Sequence, residues 1–422
     1  MPILFQHIKC LAGTHDPAAI REPLRRAALA NLPCIENAWL LLEGNAIAGF
    51  GPMATMPAGI PPSQCIDASG RFIFPAWCDS HTHLVFAEPR EAEFIDKIRG
   101  LSYAEIAAKG GGILSSAAKL NELPEEALYQ LATERLSRAV QLGTGAMEIK
   151  SGYGLTVEGE MKMLRVIKRL RQNSPVSIKA TFLGAHAIPA AYRENREGYI
   201  RLIEEEMLPK IAAENLADYI DVFCEQGFFS PAETIRICSA GKRYGLQPKI
   251  HANQLQVSGG VQAGVASGAI SVDHLESMDD DAITCLANSN TIGTLLPNAA
   301  FFLRMPYQPA RKLIDSGCSI ALASDFNPGS APSFNMNLVI ALACIQMRML
   351  PEEAINAATI NGAFAMELQH ELGSISVGKK ASIILTKPMP SLAYLPYSFG
   401  EQLVDKVWLN GNLQAGAADT VK

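Results

Sequence analysis

From residue 71 onward, short runs of β-type residues alternate with longer amphipathic runs, and few folds accommodate that rhythm. Eight candidate strands stand out: Phe72–Cys78, Gly145–Ile149, Val176–Leu183, Tyr219–Phe223, Pro248–Ile250, Ile270–Val272, Thr291–Leu296 and Ser319–Ala323. Helical segments separate most of them, among them Glu125–Leu142, Glu158–Arg171, Pro309–Asp315, Met336–Met349 and Pro351–Met366. Another begins at Ser230-Pro231-Ala232-Glu233, where a capping box coincides with proline at the first helical position. This succession predicts an α/β fold, a (β/α)8 TIM-like barrel. An open doubly wound sheet is the competitor, but no glycine-rich phosphate fingerprint opens the first unit.

The two ends of the chain have a different texture. Ala38–Leu42 and Ala46–Phe50 are short apolar segments joined by the hairpin-like Glu43-Gly44-Asn45. After residue 370 come Gly373–Gly378, Ala381–Thr386 and Val404–Leu409, again strand-like. The expected organisation is a barrel over residues 71–370, flanked by segments 1–70 and 371–422 that together form a small β-sandwich domain.

Composition narrows the function. A net charge of −6 with no basic run argues against a phosphate-backbone partner, so nucleic acid is not expected. No apolar run approaches the ~20 residues that span a bilayer, so no membrane association is expected. The start, Met1 to Phe5, lacks a signal-peptide pattern, and nine dispersed cysteines without a CxxC pair fit reduced thiols. A cytoplasmic protein is expected, and a homodimer is the default oligomer for such a barrel.

Barrel enzymes keep their chemistry at the C-terminal ends of the strands. The first strand runs into His81 and His83, whose spacing of two puts both imidazoles on one side of an extended chain. The third ends at His186, the fifth at His251, the sixth at Asp273-His274 and the eighth at Ser324-Asp325. Five of the eight histidines therefore collect at one rim, where ordinary surface or core histidines have no reason to gather. One divalent metal held by His81, His83, His251 and Asp325 follows, with room left for water. The fourth strand carries Cys224-Glu225 and no lysine, which argues against a lysine-bridged pair of metals. Lys150, ending the second strand, is expected to form a rim ion pair with Glu148 or Glu225.

These residues resemble the amidohydrolase superfamily, whose pattern is HxH on the first strand, His on the fifth and sixth, and Asp on the eighth. Within it the chain resembles the imidazolonepropionase family. DSHTHLVFAEPREAEF (79–94), EIKSGYGL (148–155), FLGAHAIP (182–189), ASDFNPGSAP (323–332) and the glycine run 110–112 carry the likeness. The resemblance implies one Zn²⁺ or iron ion (Fe²⁺ or Fe³⁺) per subunit on His81, His83, His251 and Asp325. It implies a small-molecule substrate, 4-imidazolone-5-propanoate, hydrolysed at its cyclic amide C–N bond to N-formimidoyl-L-glutamate in histidine degradation. Arg90 would meet the propionate, since an arginine fork matches two carboxylate oxygens; its plainer role is an ion pair with Glu91 or Glu93. Tyr153, His186, Asn327, Gly329 and Ser330 would contact the ring and its tail, and Tyr103 is a further candidate for the carboxylate.

Gln254 stands three residues after His251, where superfamily relatives carry Glu. Gln takes no proton at neutral pH, so it would orient substrate while His274, with Asp325, moves the proton. A different amidohydrolase, such as a ring deaminase or another cyclic-amide hydrolase, would keep the metal set without needing Arg90, Tyr153 and Asn327. A noncatalytic barrel would need no complete ligand set at all.

Overall fold

Short apolar strands joined by polar turns pair antiparallel at the N terminus. The structure, a computed structural model, describes residues 2–16, 18–59, 65–101, 105, 109 and 111–414. Strand β1 (Ile3–Ala12) pairs antiparallel with β2 (Cys34–Glu43), and β2 with β3 (Ala46–Pro52) across the expected hairpin. The short β4 (Cys65–Asp67) and β5 (Phe72–Pro75) both run parallel to β1. Eight barrel strands follow: β6 (Trp77–Thr82), β7 (Thr144–Lys150), β8 (Ser177–Ala185), β9 (Tyr219–Cys224), β10 (Gln247–Ala252), β11 (Ser271–His274), β12 (Ile292–Leu295) and β13 (Ser319–Leu322). Then β14 (Ile383–Thr386), β15 (Val404–Leu409) and β16 (Asn412–Leu413) return to the terminal sheet, β14 pairing with β5.

One expectation changes. The apolar run Phe72–Cys78 reads as one strand but serves two sheets, with the break at Ala76: β5 belongs to the terminal sheet and β6 to the barrel. Hydrophobicity states that both halves are buried and says nothing about which neighbour each half pairs with. The terminal domain is the expected small β domain from both ends of the chain, one hydrogen-bonded sheet folded over its own core. Phe5, Leu40, Ile383 and Trp408 fill that core, with Phe5 edge-on to Trp408 at 4.9 Å.

The barrel strands are parallel to their neighbours and buried almost throughout, as expected when helices cover a sheet whose inner face is also filled. The helix Pro231–Lys242 begins with the predicted capping box: Ser230 accepts from the Glu233 amide and Glu233 accepts from the Ser230 amide. The two domains meet at Trp77, which is fully buried and donates its backbone N–H to Gly143 O at 2.9 Å. Gly143 has φ +102°, and a Cβ there would lie 2.6 Å from Ile384 and 2.8 Å from the Trp77 ring, so only glycine fits.

The barrel closes through the segment after β13. Asp325 N–H donates to His81 O at 3.0 Å, and His83 N–H to Phe326 O at 2.8 Å. Asp79 adds a side-chain lock, accepting from Ser324 N–H at 2.9 Å and from the Ser324 hydroxyl at 2.5 Å. The same bonds that close the barrel thus fix His81, His83 and Asp325 beside one another. No helix among the described residues is long and apolar enough to cross a membrane.

Asp79→Ala leaves the Ser324 amide and hydroxyl unpaired in a buried site. The expected cost is about 2–5 kcal/mol of unfolding free energy, read from urea titration against the parent chain. A cost under about 0.5 kcal/mol, the surface-mutation range, would mean that backbone bonding alone closes the barrel.

Candidate active site

Strand ends place the ligand set without help from long loops. His81 Nε2 lies 3.5 Å and His83 Nε2 3.7 Å from Asp325 Oδ1, and His251 Nε2 lies 3.4 Å from His83 Nε2. Donors arranged tetrahedrally about 2.1 Å from one ion lie roughly 3.4 Å apart, so the spacing suits a single metal. His81 Nε2 is buried with no hydrogen-bond partner among the described residues, the condition expected of an atom reserved for a metal. Burial, and then the charge on Lys150, hold His81 and His251 well below the usual histidine range; burial and His186 do the same for His83. All three are neutral imidazoles at neutral pH, the form that ligates. Burial pushes Asp325 up to about 7. His274 joins His81 and His251 in an overlapping cluster of possible ligands.

Beneath the imidazoles lies a floor of buried charge. Lys150 Nζ contacts Glu148 Oε1 at 2.6 Å, Asp221 Oδ2 at 2.8 Å and Asp273 Oδ2 at 3.5 Å, and Lys249 pairs with the other oxygen of Glu148. All five side chains are fully buried. Lys150 is therefore not at the rim, and of the two expected partners it takes Glu148 and not Glu225. Asp273 Oδ2 accepts from His81 Nδ1 at 2.7 Å, and Asp221 Oδ2 stands 2.9 Å from His251 Nδ1. The bond to Asp273 fixes the tautomer of His81 that turns its Nε2 toward the candidate ligand point, and Asp221 faces the corresponding Nδ1 of His251. Despite burial, Asp221 and Glu148 hold Lys150 above its usual range, so it stays charged. Two ammonium groups face three carboxylates here.

Sequence reasoning missed this floor, although a signal existed. Glu148 and Lys150, Lys249 and His251, Ser271 and Asp273 are each two apart on strands that are otherwise apolar. Charged residues of one parity inside a buried strand point into the barrel.

Above the ligand point opens a cavity of about 510 Å³. Arg90, Tyr153, His186, Gln254, His274, Asn327, Gly329 and Ser330 all line it, so the candidates named from sequence converge. Tyr103 and Gly110 fall outside the described residues. Phe223, Phe228, Leu303 and Met305 supply an apolar wall that no motif announced. Arg90 pairs with Glu93 at 2.5 Å while facing the cavity. His186 stacks on His83 at 5.4 Å between ring centres, and burial lowers it to about 4, so it too is neutral. His274 has φ +89°, Leu275 φ +67°, and Asp325 φ +53°; these turns at the strand ends aim the functional side chains inward. Against burial, the Glu276 carboxylate, 3.4 Å from His274 Nδ1, and Asp325 hold His274 above the usual range.

Two loops carry the remaining candidates. Asn327 Oδ1 accepts from the amides of Gly329 and Ser330, both at 2.8 Å, and its Nδ2 donates to Asp325 O at 2.7 Å, which ties this loop to the ligand carboxylate. Tyr153 sits in a loop wrapped around the buried Glu160. That carboxylate accepts from Gly152 N–H at 3.0 Å, Gly154 N–H at 2.8 Å and Leu155 N–H at 2.9 Å. Gly152 O in turn lies 3.1 Å from His186 Nδ1.

Residues 72–413 match the amidohydrolase family. Over 387 residues the chain is 56% identical to an imidazolonepropionase of Flavobacterium johnsoniae, covering 92% of this chain and 94% of that one. It is 52% identical to the imidazolonepropionase of Christiangramia forsetii over 413 residues, 98% of this chain and 100% of the other. The chain belongs to the imidazolonepropionase family. The crystal structure of a triazine hydrolase variant shares the fold, with a TM-score of 0.75 at 14% identity, covering 100% of this chain and 96% of that one. Under a cavity with a cationic wall the chain carries two overlapping groups that could hold a metal ion, His81 with His83 and Asp325, and His81 with His251 and His274.

Glu160→Gln removes one of the two acceptor oxygens that hold the Tyr153 loop. Substrate KM is expected to rise about tenfold, in line with loss of one or two charge-assisted hydrogen bonds, with metal content unchanged. An unaltered KM would show that the loop keeps its shape without the carboxylate.

Proposed function

We propose that this chain hydrolyses the cyclic amide C–N bond of 4-imidazolone-5-propanoate to give N-formimidoyl-L-glutamate, a step of histidine degradation. One observation carries the reading: a single cavity has a metal-ligand cluster at its floor and a guanidinium at its wall. A ring that must be hydrolysed and a carboxylate that must be held fit those two poles. Near-complete coverage by family relatives supports the same substrate.

His81, His83, His251 and Asp325 would hold one Zn²⁺ or Fe²⁺/Fe³⁺ ion per subunit. Such an ion supplies Lewis acidity, acidifying bound water and polarising a carbonyl. Asp273 and Asp221 orient His81 and His251. Arg90 takes the propionate, and Tyr153, His186, Asn327, Gly329 and Ser330 surround the ring and its tail. His274, charged by Glu276 and Asp325, donates to the ring carbonyl oxygen as water adds, and so stabilises the oxyanion. The carboxylate of Asp325 takes the proton from water. His274 then gives its proton to the ring nitrogen as the C–N bond breaks, and the proton held by Asp325 recharges it. Gln254 orients the ring by hydrogen bonding, since it cannot act as a base. In the cell we propose a cytoplasmic homodimer, on the reduced state of nine dispersed cysteines and the prevalence of twofold assemblies.

Purified protein added to 4-imidazolone-5-propanoate, generated in place from urocanate, should speed loss of the imidazolone absorbance. Formimidoylglutamate should accumulate, and removal of metal by a chelator should abolish the effect. Decay at the spontaneous rate, in protein shown to hold metal, would rule out this substrate.

His274→Ala should lower kcat about 10²–10⁴-fold and leave metal stoichiometry near one per subunit. Metal loss in that variant would make His274 a ligand and not a proton carrier.

A further inference from the structure

The helix Glu91–Ile98 sends a second cation to the cavity wall. Lys97 lines the same cavity as Arg90, half-buried, and spends one N–H on Gly329 O at 2.8 Å. Its ammonium lies 5.4 Å from the centre of the Phe302 ring. The Arg90 guanidinium packs against the same glycine: a Cβ on Gly329 would lie 2.3 Å from Arg90 Nη1. Two cations therefore bracket one residue of the 327–330 loop.

Their charges are balanced differently. Arg90 holds Glu93 at 2.5 Å, and Glu93 is itself fixed by Gly112 N–H at 2.8 Å. Among the described residues no carboxylate comes within ion-pair reach of Lys97. A carboxylate arriving at Arg90 alone meets a cation that Glu93 already neutralises, and meets the Glu93 charge beside it. Arg90, Glu93 and Lys97 taken together carry one positive charge, the complement of a monoanion. A half-buried ammonium beside a guanidinium, with no carboxylate in contact and only Glu93 one helical turn away to offset its charge, is favoured when an anion joins it.

We propose that Lys97 is the specificity-determining cation of this site, supplying the uncompensated charge and a direct donor to the substrate carboxylate, while the Arg90–Glu93 pair supplies the fixed geometry. The inference rests on the hydrolytic reading above and adds a residue to its substrate side. It also accounts for Gly329: a side chain there would force the guanidinium off the loop that Lys97 holds from the other side.

The test compares the metal-loaded parent enzyme with Lys97→Met, Lys97→Gln and Lys97→Arg. Two measurements are made: KM and kcat for 4-imidazolone-5-propanoate, and competitive binding of imidazole-4-propanoate against its uncharged propanamide. Loss of one charge-assisted contact raises KM roughly 10- to 100-fold, with kcat nearly unchanged, in the two neutral variants. Acid-over-amide preference should fall by a similar factor, and Lys97→Arg should restore most of both. An unchanged KM, or equal weakening of acid and amide, would overturn the proposal, the latter marking a purely structural contact with Gly329. Parent enzyme that prefers the acid through Lys97 but does not turn over the imidazolone would instead overturn the substrate reading and leave Lys97 as an anion selector. If Lys97→Met folds poorly, as judged by circular dichroism, Lys97→Gln carries the same comparison.

Discussion

The interaction on which the site depends is the buried contact of Lys150 with Glu148, Asp221 and Asp273. Each partner is withdrawn from water, and the cost of desolvating such groups is returned only when all of them are paired. The barrel meets that condition because β7, β9 and β11, alternate strands of the sheet, point these side chains into its interior. On each of Asp273 and Asp221 the Oδ2 oxygen that faces Lys150 also faces an imidazole, that of His81 or of His251. The ammonium group has a second effect: it helps hold those imidazoles neutral. A metal-binding geometry thus rests on a charge network that touches no metal and no substrate.

Closure of the barrel and construction of the site are the same event. Backbone bonds from Asp325 and His83 cross the seam between β6 and the segment after β13, and Asp79 fastens it from below. Ligands separated by more than 240 residues become neighbours only when that seam forms. The substrate side is built on loops, but each loop is tied to a buried acceptor: Asn327 for the 327–330 turn and Glu160 for the turn that bears Tyr153. Loops so tied can present backbone and side chains to a ligand without first paying for order in entropy.

The cavity itself is polarised. Its floor gathers neutral imidazoles and carboxylates, its wall carries Arg90 and Lys97, and Phe223, Phe228 and Met305 lie between them. Apolar surface in the middle excludes water and strengthens electrostatics at both poles.

The amino-acid sequence by itself determined the barrel, because alternation of buried strands with amphipathic helices is a local property written in residue order. It also pointed to the candidate site, because His81, His83, His186, His251, His274 and Asp325 each lie at or just after the end of a strand, and strand ends of a barrel share one rim. Tertiary structure decided what depends on pairing between distant segments. Phe72–Cys78 reads as one strand, and only hydrogen bonding to β1 and β14 on one side and β7 on the other divides it between two sheets. Lys150 reads as a rim residue because a charge at a strand end suggests solvent; its carboxylate partners on β9 and β11 come from distant sequence and draw it inside. The split of labour between Arg90 and Lys97 is likewise invisible in residue order, since it depends on which of the two cations Glu93 reaches in space.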